Sequence, residues 1–89
     1  MSEKEIIRKI SYIKRSKNRL KVVYILGDSF KMPSEIAEEM NLRINQISAI
    51  LSDLKKENIV ICMNEEEKTG RLYQLTAEGK EAYDIIKSN

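Results

Sequence analysis

The sequence predicts a mainly α fold with one small β-hairpin, in the order α-α-α-α-β-β-α. Three observations carry this expectation. Five stretches show the apolar spacing and caps of helices. Two of them are separated only by Asn41-Leu42-Arg43. A β-branched run, Ile59-Val60-Ile61-Cys62-Met63, is followed by a polar loop closed by Gly70 and then by Arg71-Leu72-Tyr73-Gln74-Leu75.

Taken in order, the N-terminal segment (residues 1–15) has Ile6, Ile7, Ile10 and Ile13 along one stripe of a helix from Glu3 to Lys14. Ser16 is a fair N-cap for the next helix, Lys17 to Leu26. That stretch is the most apolar of the chain, which predicts a central helix, although its β-branched residues would also permit a strand. Gly27-Asp28 stops it, and Phe30-Lys31-Met32 is expected to be a linker. Pro33 opens a third helix at the position where its missing N–H costs least, with Ile36, Ala37 and Met40 on the buried face. After the three-residue turn, a fourth helix runs from Ile44 to about Glu57, with Ile44, Ile47, Leu51 and Leu54 expected to face the core. Residues 59–75 form the hairpin. Thr76 caps the last helix (residues 76–88), whose inner face carries Ala82, Tyr83, Ile85 and Ile86.

Eighty-nine residues suit a single domain, 1–89, and a core this small gains from dimerisation. Hydrophobic residues make up 42% and charged residues 34%, a globular balance. No apolar run approaches the roughly 20 residues of a membrane span. The start, MSEKEIIRKI, is charged where a signal peptide needs an apolar segment, so a cytoplasmic protein is expected. Cys62 is the single cysteine and there is no histidine, which removes the commonest general base and the commonest zinc ligand. With no paired-carboxylate motif and no phosphate loop, enzymatic chemistry is not expected, nor is a metal or cofactor. Cys62 reads as a small core residue.

Charge is unevenly spread. Residues 1–31 hold nine basic and three acidic residues, +6; residues 32–89 hold seven and eleven, −4. The basic half is a candidate polyanion footprint. Within it Lys17 and Arg19 sit at a helix N-terminus, where the dipole disfavours cations. That placement suggests a phosphate contact or a pairing with a partner subunit. Ser34, at the start of its helix, is a candidate phosphate donor, with Glu35 beside it counting against the idea.

If the fourth helix buries its apolar stripe, its opposite face presents Asn45, Gln46, Ser48, Ala49, Ser52 and Asp53. The first turns of that face are small and uncharged, unlike the Glu/Lys pairs of an ordinary solvated face. Asn and Gln match adenine edges, Ser matches several base edges, and Ala49 matches a thymine methyl. Arg43, just before the helix, has the reach for a guanine or a phosphate.

Helices joined by a short turn and followed by a hairpin make a helix-turn-helix (residues 33–57) with a wing. In this order and spacing, PSEIAEEM, ISAILSDLKKENIV and EEEKTGRLYQLTAEGKE resemble the winged helix-turn-helix transcriptional regulators of prokaryotes. The likeness lies in the MarR and ArsR region, especially small archaeal-type members, and covers about residues 20–83. Met32 departs from it, standing where the family often has a capping Thr or Ser. The resemblance implies a homodimer reading a palindromic site in double-stranded DNA, with the wing at the minor groove. It also implies basic wing residues at Lys68 and Arg71. Metal sensing is not carried over, because the Cys and His pairs are missing. The residues identify no small-molecule effector. Ile6, Ile10 and Ile13, with Tyr83 and Ile86, are the expected dimer stripes.

The loop NEEEKTGR (residues 64–71) sets three glutamates beside two cations. The glutamates are expected to face away from DNA, either as a soluble turn or to steady Lys68 and Arg71 and repel misplaced DNA. The alternative function is a winged helix used for protein–protein contact in a transcription or assembly complex, a reading that the acidic wing favours.

Overall fold

The structure, a computed structural model, describes residues 2–88. Helix α1 spans Glu3–Lys14, and the Ser2 hydroxyl accepts from the Glu5 N–H at 3.2 Å. Helix α2 spans Lys17–Leu26, capped by Ser16, whose hydroxyl accepts from the Arg19 N–H at 3.3 Å. Helix α3 spans Pro33–Met40. Met32 offers no capping oxygen, and the Glu35 carboxylate compensates by accepting from the Met32 N–H at 2.8 Å.

Helix α4 spans Ile44–Lys56, and α5 spans Ala77–Ser88. Asparagine ends both helices of the helix-turn-helix. Asn41 and Asn58 take φ of 54° and 55°. That left-handed step lets Leu42 N–H reach Ala37 O at 3.0 Å and Ile59 N–H reach Leu54 O at 2.9 Å, satisfying carbonyls at each helix end. The Thr76 hydroxyl accepts from Gly79 N–H at 2.9 Å and donates to Asn58 O at 2.7 Å. One hydroxyl thus starts α5 and ties it to the end of α4.

Phe30–Lys31 is a strand, not a linker. This strand, β1, pairs antiparallel with β3 (Tyr73–Leu75), which also pairs with β2 (Val60–Cys62), giving the order β1-β3-β2. The register is Phe30 opposite Gln74 and Val60 opposite Leu75. A hairpin leaves one edge of β3 with unpaired amide groups, and an extended segment held beside it by α2 and α3 satisfies them. The hairpin strands are shorter than their β-branched runs, although Met63 N–H still bonds Leu72 O at 2.8 Å.

The core is built on α2, which packs against α1, α3, α4, α5 and β3. Ile13, Val22, Val23, Leu26, Ile36, Ile47, Leu51, Leu54, Ile59 and Val60 are at most 1% exposed. Apolar expectations change in three places, one of them at Ile85, expected on the inner face of the last helix but 39% exposed. Ile44 does not face the core; it is 54% exposed, because Ile47, Leu51 and Leu54 fill the inner side of α4. Ile6, Ile13 and Ile86 are not free stripes. They are buried inside the protomer, where α1 and α5 pack together, leaving Ile7 and Ile85 exposed on those helices. No helix of the described residues is long and apolar enough to cross a membrane.

Among the described residues one charge is buried. Lys9 of α1 donates through Nζ to the carbonyl of Glu57, at the C-terminal end of α4. It also lies 3.4 Å from Glu78 Oε1 in the first turn of α5. The cation meets the negative end of one helix and an acid at the positive end of another. Asn58 Nδ2 donates to the same Glu78 oxygen at 3.1 Å, and this bond, with Lys9 beside it, holds the Glu78 carboxyl below its ordinary pKa.

Candidate nucleic-acid interface

Helix α4 stands on the core through its apolar stripe, so geometry fixes which residues it exposes. Asn45, Gln46, Ser48, Ala49 and Ser52 are all exposed, as is Arg43. The exposed side divides into two stripes. Ile44, Ser48, Ser52 and Lys55 turn toward the wing and line a groove of about 580 Å³. The other walls are Met32, Pro33 and Ser34 at the start of α3, and Lys68, Thr69, Gly70, Arg71 and Tyr73 of the wing and β3. The second stripe, Asn45, Gln46 and Ala49, lies outside the groove.

Five of the expected contact residues, Ser34, Ser48, Ser52, Lys68 and Arg71, therefore share one groove. Arg43, Asn45, Gln46 and Ala49 do not line it, and neither do Lys17 and Arg19. Gln46 has a local task, since its Oε1 accepts from Arg43 N–H at 3.0 Å and caps α4. Arg19 also has one. Its guanidinium donates to Tyr12 O at 2.8 Å and stacks 3.9 Å from the Tyr12 ring centroid. The cation placed unfavourably for α2 thus serves the last turn of α1 instead.

The wing is braced by its own side chains. Asn64 accepts from Leu72 N–H at 2.8 Å and donates to Gly70 O at 3.2 Å, clamping both ends of the loop. Arg71 donates through Nε to Glu67 O at 2.7 Å and through a terminal nitrogen to Glu65 O at 3.0 Å. The expectation that the acids steady the cations is corrected in detail. Main-chain carbonyls hold Arg71, while the Glu65 carboxylate pairs with Lys55 of α4. Glu65 is therefore turned toward α4, not away from it. Lys68 has no ion pair among the described residues.

Lys55, Thr69, Ile44 and Tyr73 are groove residues that sequence reasoning missed. Lys55 lies three turns along α4 from Ile44, on the same side by helical spacing, and that was the available signal. Cys62 is buried, with Sγ 3.7 Å from Asn64 Oδ1.

Helix-turn-helix, three-stranded sheet, wing loop and flanking helices together define the winged helix-turn-helix fold. Solved structures agree. The chain is similar to HlyU from Vibrio cholerae, with a TM-score of 0.80 at 18% identity over 99% of this chain and 96% of that one. It is similar to the homodimeric winged helix-turn-helix DNA-binding domain of a possible ArsR-family transcriptional regulator from Mycobacterium bovis. There the TM-score is 0.78 at 16% identity, over 99% of this chain and 85% of that one. A mutant of ZitR from Lactococcus lactis matches with a TM-score of 0.73 at 12% identity, over 82% of this chain and 51% of that one. No protein-family model matches the sequence, and no curated protein is similar to it.

Proposed function

We propose that this chain is a sequence-reading, DNA-binding transcriptional regulator that acts as a homodimer on a palindromic operator. Helix α4 enters the major groove and the wing meets the minor groove or the phosphates beside it. One observation carries this reading. In a chain with 14 acidic residues, the groove between α4 and the wing is lined by the basic Lys55, Lys68 and Arg71, by the hydroxyl-bearing Ser34, Ser48, Ser52, Thr69 and Tyr73, and by the apolar Met32, Pro33 and Ile44. Among the described residues no Asp or Glu lines it, although Glu65 pairs with Lys55 from outside the lining. Such a surface donates hydrogen bonds and attracts anions, which suits the phosphodiester strand between the two grooves. Asn45 and Ala49 beside it, with Ser48 on its wall, supply base contacts. The Mycobacterium bovis domain, homodimeric and DNA-binding, supports the same reading. The dimer forms through the outer faces of α1 and α5, with exposed Ile7 and Ile85 and half-buried Ile10 and Tyr83.

Selection of duplexes from a random pool, followed by binding measured as anisotropy at two salt concentrations, tests this. The expected result is enrichment of a palindromic duplex that outlasts random DNA at the higher salt. Asn45→Ala with Ser48→Ala should abolish that preference. Weak binding, equal for all duplexes and lost with salt, would leave only a charge footprint.

A second reading has its own observation. Strand β2 is a sheet edge, Ile61 on it and Met63 just beyond it are exposed, and Glu65, Glu66 and Glu67 follow. An apolar edge next to acids suits a protein partner. It takes first place if no duplex is enriched.

A further inference from the structure

We infer that Ile44 is a specificity-determining residue that reads the C5-methyl group of a thymine in the DNA major groove. The inference rests on the DNA-binding reading above. Ile44 is the first residue of α4 and remains 54% exposed, while the inner face of that helix is filled by Ile47, Leu51 and Leu54 at 1% or less. Its side chain lies outside the hydrophobic core cluster. It lies at the N-terminal end of the helix, the end that reaches base edges when a helix-turn-helix docks.

The surroundings define the ligand chemistry. Ile44 shares its groove with the apolar Met32 and Pro33, with Tyr73, and with the cations Lys55, Lys68 and Arg71. The matching partner is a polyanion that carries an apolar group on an accessible edge. Duplex DNA is such a partner, because thymine places its methyl group in the major groove. RNA is not, since its uracil lacks that methyl and its major groove is too narrow for side chains. Ser48, one turn along the same stripe, offers a hydroxyl to the neighbouring base edge, so an apolar and a polar contact follow each other along the groove.

Deoxyuridine substitution removes only the methyl group and makes the test direct. Each dT of the enriched duplex is replaced singly by dU, and affinity is measured for the wild-type chain, Ile44→Val and Ile44→Ala. At one position in each half-site the wild type should lose about fourfold in affinity, the value of one buried methyl. Ile44→Ala should bind the unmodified duplex more weakly and be indifferent to dU at that position, with Ile44→Val between the two. Because Ile44 is exposed and Ala favours helix, the variant should fold, and circular dichroism checks this. Wild-type binding unaffected by dU at any position overturns the inference alone. So does Ile44→Ala keeping the full dU sensitivity, which would assign the methyl to another residue such as Ala49. A pool from which no duplex is enriched overturns the DNA reading and this inference together.

Discussion

Gly79 lies in the first turn of α5, so close to β2 that a Cβ there would come within 2.1 Å of the Ile59 carbonyl oxygen. The obstacle is backbone at the point where α4 ends and β2 begins, and it cannot swing aside. Gly79→Ala should destabilise the fold by about 3 kcal/mol or more, as overpacking of a rigid contact does. Gly70 shows the contrasting case. It has φ +68° with open space around it, so Gly70→Ala should cost only about 1 kcal/mol of backbone strain. Urea unfolding of the two variants checks the ranking, and equal losses would refute the packing argument. The glycine in the helix is thus the stringent one, and the glycine in the loop is permissive.

The wing is an element whose charges have divided roles. Arg71 and Asn64 hold its shape through main-chain groups, and Lys68 projects without an ion pair among the described residues. Of the three glutamates, Glu65 is the one paired with a cation of the groove, Lys55. An exposed pair of this kind contributes little to stability, but it competes with phosphate for the same ammonium group. Glu65→Gln should therefore raise affinity for any duplex and steepen the dependence of log K on log salt by about one unit. Glu66→Gln and Glu67→Gln should change affinity less, through general repulsion only. Equal effects for all three, read by anisotropy across a salt series, would mean that the pair has no special role. In the same element Asn64→Ala should loosen the loop, and faster proteolysis within residues 64–71 would report it.

At the scale of the molecule, ion pairs tie distant elements together and set the pH range of stability. Asp28, after α2, pairs with Lys80 of α5. The Lys80 ammonium beside Asp28 holds that carboxyl below its ordinary pKa, and Asp28 raises Lys80 in turn. Glu78 is lowered by Asn58 and Lys9. A lowered carboxyl stabilises the fold above its unfolded pKa and loses that contribution as pH falls through the folded value. A raised lysine stabilises below its unfolded pKa and loses that contribution as pH rises through the folded value. Stability should be flat across neutral pH, decline below about pH 4 and decline again above about pH 10.5. In Glu78→Gln the acid arm should be shallower, which urea unfolding at several pH values reads. For the proposed dimer, Ile7→Glu should yield a folded monomer by sedimentation equilibrium. Ile13→Ala should instead lower stability by about 3 kcal/mol, because Ile13 belongs to the protomer core. A dimer that survives Ile7→Glu would place the interface elsewhere.

The sequence alone determined the helices, their order and the position of the hairpin. Those features rest on local physics: apolar spacing in α1 and α4, Ser16 and Thr76 as caps, Pro33 as an opener, and Gly27-Asp28 and the Asn41-Leu42-Arg43 turn as stops. It also determined the exposed polar face of α4, because burying Ile47, Leu51 and Leu54 fixes what points away. Tertiary structure alone decided the rest, because each remaining feature joins residues far apart in the chain. Phe30–Lys31 is too short to signal a strand and becomes one only against β3. Lys9 looks like surface charge on α1 until the end of α4 and the start of α5 close around it. Ile44 follows the period of the core and yet stays outside it, since three neighbours already fill the available volume. Local spacing specifies which face a side chain takes, and only packing between elements specifies what meets it there.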